Sequence, residues 1–302
     1  MYDIIVVGAG PAGLTAAIYA RRANKSVLVF EAKAYGGQIV NAPNVENYPG
    51  YKSISGFDLA TEMYNLAKDL GAEFKFEMVK KITEAKEVIT NSGTYTAKAI
   101  ILATGAENRR LNLPEEVDYI GRGISYCATC DGNFYKGRDV AIVGGGNTAL
   151  EDALYLSGIC NKVYLIHRRE SFRGEDKYVE QIKLNDNIEL ILNSNVIDIN
   201  GDEHLDSVVV KNNDGDERTL NISGLFIAVG QQPKNELFAD IIELDEKGYI
   251  KTLDGVHTNV EGIYVAGDTR DKELKQLTTA VSDGSIAATV AMKEMKEWEL
   301  YI

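Results

Sequence analysis

The chain carries one pattern twice, strand, glycine turn, helix and strand, with the same internal spacing each time, and few folds accommodate that. In the first copy, residues 3–7 (DIIVV) read as a short buried strand and Gly8-Ala9-Gly10-Pro11-Ala12-Gly13 as a tight turn. Residues 14–23 read as a helix, and residues 26–30 (SVLVF) as a second strand ending at Glu31. In the second copy, residues 139–143 (DVAIV) lead into Gly144-Gly145-Gly146-Asn147-Thr148-Ala149, a helix over 150–157 and a strand over 162–166 that ends at His167. Gly8 to Glu31 and Gly144 to His167 each span 23 positions. Equal spacing in two units predicts duplicated dinucleotide-binding folds. A second echo supports this: residues 99–105 (AIILATG) match residues 224–230 (GLFIAVG), a buried strand running into glycine. Residues 258–268 (TNVEGIYVAGD) and a helical run over about 278–296 follow. The expected fold is α/β, with two Rossmann-like dinucleotide-binding domains, the second inserted into the first. Boundaries at Leu113-Pro114 and near Glu243 give one domain from residues 1–113 and 244–302 and another from 114–243.

A length of 302 residues suits two domains. The formal charge of −13 repels phosphate backbones, which argues against sequence-independent nucleic-acid binding. Any phosphate ligand must then be held by a local basic pocket or by backbone N–H groups. No stretch reads as a membrane span. Residues 4–20 are nearly all apolar or small, but Pro11 and three glycines interrupt them, and the basic pair Arg21-Arg22 follows instead of preceding, the reverse of a signal peptide. Three cysteines are too few for a disulfide framework, which agrees with a reducing, cytoplasmic location.

The first turn, G-x-G-x-x-G, lets a pyrophosphate approach backbone N–H groups at a helix N-terminus, and Glu31 stands where a carboxylate accepts ribose hydroxyls. The second unit ends instead on His167-Arg168-Arg169, with Arg173 beyond. Four basic groups suit a 2′-phosphate, because Arg presents a planar fork to phosphate oxygens. The second unit should therefore bind NADPH. Cys127-Ala128-Thr129-Cys130 is either a redox dithiol or half a zinc site. The only other cysteine is Cys160, and His167, His204 and His257 are scattered, so the redox reading is favoured and no metal is expected. Asp131 follows directly and either exchanges protons with a leaving thiolate or caps a turn. Cys160 reads as core, His204 as solvated, His257 as structural, and Trp298 as packing with Met292 and Met295. Hydride transfer from nicotinamide to a disulfide is awkward directly, and a flavin mediates it, so the first unit should hold FAD.

Taken together, these motifs resemble the low-molecular-weight thioredoxin reductases over essentially the whole chain. The resemblance rests on both glycine motifs, Gly36-Gly37-Gln38, Val45-Glu46-Asn47-Tyr48-Pro49-Gly50, Ala103-Thr104-Gly105, Cys127-Ala128-Thr129-Cys130-Asp131-Gly132, the His167-Arg168-Arg169…Arg173 cluster and Ala266-Gly267-Asp268. It implies FAD, NADPH, a homodimer, a thioredoxin-like partner and two alternating domain orientations. It also implies that Cys130 sits next to the flavin, that Cys127 attacks the partner disulfide and that Asp131 is the acid/base. Gly8, Gly10, Pro11, Ala12, Gly13, Glu31, Gly36, Gly37, Gln38, Asn47, Val79, Ala103, Thr104, Gly105, Gly267, Asp268, Lys275, Gln276 and Leu277 would bind FAD. Gly144, Gly146, Asn147, Thr148, His167, Arg168, Arg169 and Arg173 would bind NADPH. Three positions depart from the family pattern: Lys275 replaces the usual Arg, Ala42-Pro43 stand where many members carry Thr, and Gly174 replaces the usual Ala. The expected activity is NADPH-dependent reduction of a thioredoxin-like protein. The rivals are a ferredoxin-linked thioredoxin reductase, against which Arg168, Arg169 and Arg173 argue; a reductase of a peroxidase partner, which often has an added N-terminal domain, whereas Met1 leads straight into the first strand here; and a non-catalytic nucleotide-sensing or scaffold module, against which the intact Cys127-x-x-Cys130-Asp131 argues.

Overall fold

The computed structural model describes residues 1–299, with side chains through residue 295. The packing expected of the Trp298 side chain therefore lies outside the described residues. The chain divides into two compact units, the first comprising Met1–Glu107 and the chain from Gln232 onward, the second Asn108–Gln231. Both crossings come earlier in the chain than Leu113-Pro114 and Glu243. The reason is burial. Leu111 and Leu113 pack against the core of the second unit, and the buried Glu116 accepts the Leu111 and Leu113 N–H groups at 3.2 Å each. Phe238 and Ile242 are buried in the core of the first. Pro114 thus marks a turn in chain that already belongs to the second unit.

The first unit is built on a seven-stranded sheet. Strands Glu73–Lys75, Val27–Phe30, Tyr2–Val7 and Thr94–Leu102 lie side by side in parallel, and Ile263–Val265 pairs parallel with the end of Thr94–Leu102. The start of that long strand pairs antiparallel with Glu87–Thr90, which pairs with Val79–Ile82. Val27–Phe30 is buried at every position, as a central parallel strand covered on both faces should be. Helix Pro11–Arg22 packs on helix Leu277–Glu299. Their approach is close enough that a Cβ on Gly284 would lie 2.1 Å from the Ala12 carbonyl oxygen, so only glycine fits.

The second unit repeats the plan. Strands Ile188–Ile191, Lys162–Ile166, Asp139–Gly144, Gly224–Ala228 and Ile124–Ser125 form an all-parallel sheet in that order. An antiparallel three-stranded sheet, Ser194–Gly201, Leu205–Asn212 and Glu217–Asn221, stands where the first unit has its antiparallel strands. The helices Pro11–Arg22 and Asn147–Ser157 begin earlier than their apolar periodicity suggests, inside the glycine turns. Pro11 sits in the first helical turn, where its missing N–H costs nothing. The duplicated α/β architecture read from the 23-residue spacing is the one observed.

Candidate active site

In the first unit the strand Tyr2–Val7 runs into Gly8, whose φ of +110° and approach to the Ala103 carbonyl exclude a side chain; a Cβ there would lie 2.3 Å from that oxygen. This contact joins the first glycine turn to Ala103-Thr104-Gly105. The helix then starts after Gly10 with no side chain capping its first N–H groups, the arrangement that accepts a pyrophosphate. Glu31 is fixed from both sides, accepting the Ala9 N–H at Oε2 and the Lys33 N–H at Oε1, each at 2.9 Å. Gly37 folds against Gly10, where an added Cβ would come within 3.3 Å of the Gly10 Cα. Gly37, Gln38 and Asn47 are exposed, and the Asn47 amide donates to Gln276 Oε1 at 3.3 Å, just before Leu277 opens the last helix. Val79 is buried in the apolar core at the start of its strand.

The test of fit for a cofactor in this unit lies at Asp268. Its Oδ1 is buried and accepts no hydrogen bond, although the Lys272 ammonium stands 3.3 Å away at ion-pair distance. Burial raises the carboxyl above its ordinary value, against the pull of Lys272. Lys272 offsets part of the cost of burying this oxygen, and a ligand hydroxyl would give it the well-aligned hydrogen bond it lacks. The neighbouring residues are held rigidly. Thr104 Oγ1 and Thr269 Oγ1 lie 2.7 Å apart and both reach Asn235 Oδ1, at 3.1 and 2.7 Å, while the Asn235 amide donates to the Gly248 and Thr269 carbonyls. Asp283, buried below Gly267, takes Arg270 at 2.9 Å and Lys272 at 3.0 Å. Lys275 lies over the Tyr249 ring at 4.0 Å and donates to the Lys272 carbonyl; burial lowers its ammonium below the ordinary lysine value.

In the second unit, Cys127 and Cys130 are joined in a disulfide with an S–S distance of 2.07 Å. Cys127 caps the short helix Ala128–Asp131, and its sulfur accepts the Cys130 N–H at 3.2 Å. The spacing that brings the two sulfurs together is therefore the spacing of one helical turn. Burial pushes the Asp131 carboxyl up, and a 2.6 Å hydrogen bond from the Ser125 hydroxyl draws it partly back. A carboxyl raised this way takes up and releases a proton more readily near neutral pH, and the Ser125 hydroxyl links it to the Cys127 N–H. Among the described residues no group of three His, Cys, Asp or Glu side chains is placed to hold a metal.

The second glycine turn opens helix Asn147–Ser157, again with no side-chain cap. Asn147 is tied to Glu175, donating from its amide to Oε1 and accepting the Glu175 N–H, both at 2.8 Å, and Thr148 is exposed beside it. Gly144 abuts the Ala228 carbonyl, 2.5 Å from where a Cβ would stand. Arg168, Arg169 and Arg173 are exposed, and the Arg173 N–H donates to the Gly145 carbonyl at 2.7 Å. His167 behaves differently from these three. Its ring is buried, stacks on Phe172 at 5.2 Å, bonds the Ser171 carbonyl through Nε2 at 3.1 Å and fills the space above Gly145. Burial, then the charges of Arg173 and Arg168, lowers its pKa, so at neutral pH it packs as an uncharged ring. Sequence reasoning grouped His167 with the arginines by adjacency, and it passed over Ser125, Asn235 and Thr269. Ser125, two residues before the first cysteine, and Thr269, directly after Ala266-Gly267-Asp268, stood close enough to a motif to have been noticed, whereas Asn235 did not.

Comparison with known proteins agrees with this geometry. The family described as pyridine nucleotide-disulphide oxidoreductase matches residues 2–284. A thioredoxin reductase of Listeria innocua is 43% identical over 302 residues, covering 98% of this chain and 95% of the relative. One from Bacillus subtilis is 40% identical over 302 residues, covering 98% and 96%. Among solved structures, the thioredoxin reductase of Streptococcus pyogenes superposes with a TM-score of 0.94 at 40% identity, covering 98% of this chain and 99% of that one. The chain therefore belongs to the pyridine nucleotide-disulphide oxidoreductase family and, within it, to the thioredoxin reductases, oxidoreductases that work with a flavin and a pyridine nucleotide.

Proposed function

We propose that the chain uses NADPH and FAD to reduce the disulfide of a thioredoxin-like protein, as a homodimer in the cytoplasm. The observation that carries this reading is the Cys127–Cys130 disulfide with the half-buried Asp131 carboxyl, which the Ser125 hydroxyl ties to the Cys127 N–H. Glu31 would orient the adenosine ribose of FAD, the N–H groups opening helix Pro11–Arg22 would take its pyrophosphate, and Asp268 would accept a ribityl hydroxyl. The Asp268 Oδ1, buried with Lys272 at ion-pair distance but with no aligned hydrogen bond, supports the last of these. The exposed Arg168, Arg169 and Arg173 would grip the 2′-phosphate of NADPH, with His167 holding the turn at Gly145 from behind. Bound flavin supplies the two-electron link between a nicotinamide hydride and the disulfide.

The chain's own residues then act on sulfur and protons. Once reduced, Cys127 attacks one sulfur of the partner disulfide as a thiolate, and a mixed disulfide forms. Cys130 attacks Cys127 Sγ, restores the intramolecular disulfide and expels the partner thiolate, with Asp131 handling the proton. No helix among the described residues is long and apolar enough to cross a membrane. Anaerobic mixing with NADPH, NADH and reduced ferredoxin in turn, followed by thioredoxin, tests the reading. Rapid flavin bleaching by NADPH and turnover with thioredoxin are expected. Bleaching by ferredoxin alone would move the chain to the ferredoxin-linked class.

A further inference from the structure

Ser125 is buried at the end of strand Ile124–Ser125, and its hydroxyl meets both the first cysteine and the acid. Oγ accepts the Cys127 N–H at 3.0 Å and donates to Asp131 Oδ2 at 2.6 Å. The Cys127 carbonyl stands on its other side, at 3.3 Å. A serine hydroxyl has one proton and two lone pairs, and the proton can turn between acceptors. With Asp131 ionised, the Ser125 proton points at the carboxylate. With Asp131 protonated, the acid donates to Oγ and the Ser125 proton turns to the Cys127 carbonyl. Either way no buried polar group loses its partner, which would otherwise penalise one of the two protonation states.

We propose that Ser125 is a positioning residue for the dithiol reaction, a hydroxyl rotor that lets Asp131 take up and release a proton without leaving its place beside the cysteines. This rests on reading Cys127, Cys130 and Asp131 as the reacting groups. The proton path closes. In the resolving step the Cys130 thiol gives its proton to the Asp131 carboxylate. The Cys130 sulfur forms a bond to Cys127 Sγ, and the bond from Cys127 to the partner sulfur breaks. The partner sulfur leaves with the electron pair and takes the proton from Asp131. Among the described residues, Tyr135 on the turn Gly132–Tyr135 is a second titratable group that feels the Asp131 charge. Burial, then the Asp131 charge, against the pull of Arg138, pushes its phenol up to about 12, so it stays neutral through this cycle.

The test compares wild type, Ser125→Ala, Asp131→Asn and the double variant in the full-length holoenzyme. Ser125→Ala should lower kcat with thioredoxin by roughly tenfold and leave flavin reduction by NADPH unchanged. The Ser125 hydrogen bond favours the ionised carboxyl, so its loss should move the Asp131-dependent limb of the pH profile to higher pH. In the Asp131→Asn background Ser125→Ala should cost much less than it does in wild type, because there is no proton on residue 131 to accommodate and only the acceptor for the Cys127 N–H is lost. If Ser125→Ala does not fold, Ser125→Thr and Ser125→Val, equal in shape, isolate the hydroxyl: Thr should keep the limb and Val should displace it. A wild-type rate and limb for Ser125→Ala, an additive loss in the double variant, or matching Thr and Val profiles overturns the proposal. A wild-type protein that fails to reduce thioredoxin with NADPH overturns instead the function on which it rests.

Discussion

The backbone N–H of Ala9 donates to Glu31 Oε2 at 2.9 Å, so the carboxylate that ends the second strand is locked to the glycine turn that ends the first. Both halves of the proposed adenosine diphosphate site are thereby fixed relative to each other. Removing the carboxylate takes away this lock together with the proposed ribose acceptor. A hydrogen bond to a charged group contributes about 1.5–3 kcal/mol. Glu31→Ala should weaken flavin retention at least tenfold, and Glu31→Gln, which keeps an acceptor, should fall between. Flavin absorbance per chain after dialysis measures this; full retention by Glu31→Ala would contradict the assignment.

Donor choice should follow the arginines. Arg168, Arg169 and Arg173 are exposed around one turn, and the His167 ring holds that turn in place. At about 1.5–3 kcal/mol per charge-assisted contact, two or more contacts favour NADPH over NADH by roughly a hundredfold or more. Arg168→Ala with Arg169→Ala should raise KM for NADPH far more than for NADH. Equal kcat/KM for both donors in the wild type would contradict the 2′-phosphate reading.

The last helix is clamped by a group that titrates. Burial works against a charge on His257, but its hydrogen bonds to Glu294 Oε1 at 2.6 Å and Asp254 Oδ1 at 2.7 Å outweigh it, and folding raises the imidazole above its ordinary 6.5. A raised folded-state value adds stability that is complete below pH 6.5 and is lost as pH rises through that value. His257→Gln should therefore cost about 1 kcal/mol at low pH and much less near pH 9. Thermal midpoints at the two pH values decide it, and a cost that grows with pH would contradict the clamp.

Much of this molecule is legible from spacing alone, and the reason is physical. Parallel strands covered on both faces must be apolar runs such as residues 27–30, and a glycine turn between such a strand and a helix leaves little choice of fold. The dithiol and the arginine cluster are legible because their chemistry demands particular residue types at short separations. The remaining site residues are not, because their partners lie far away in sequence: Asn235 meets Thr104 across 131 positions and Thr269 across 34. The setting of the His167 ring is hidden for the same reason. Its neighbours in sequence are arginines, while its neighbours in space are Gly145 and Phe172. The unit boundaries escape notice because Glu116 and Phe238 are committed to cores by contacts that sequence order does not reveal.

Cys160 should take no part in the redox cycle. Burial, then the nearby Asp139 charge, pushes its thiol up to about 11, and its side chain lies in the apolar core of the second unit. After reduction, an alkylating reagent at pH 7 should label Cys127 and spare Cys160 in the native protein. Cys160→Ser should keep wild-type turnover with a packing loss of about 1 kcal/mol. Loss of turnover in that variant would contradict the assignment of the dithiol.

The most direct measurement of the central claim, that electrons leave the chain through Cys127 and Cys130, is trapping of the covalent intermediate with thioredoxin. Delivery to a protein disulfide needs two sulfurs, one to attack and one to resolve. Cys130→Ser, incubated with oxidised thioredoxin under reducing turnover conditions, should accumulate a Cys127-linked mixed disulfide on a non-reducing gel. Cys127→Ser should form none. Both should still let NADPH bleach the bound flavin while losing thioredoxin turnover by several orders of magnitude. Near-normal turnover in either variant, or a mixed disulfide that forms equally well without Cys127, would contradict the account.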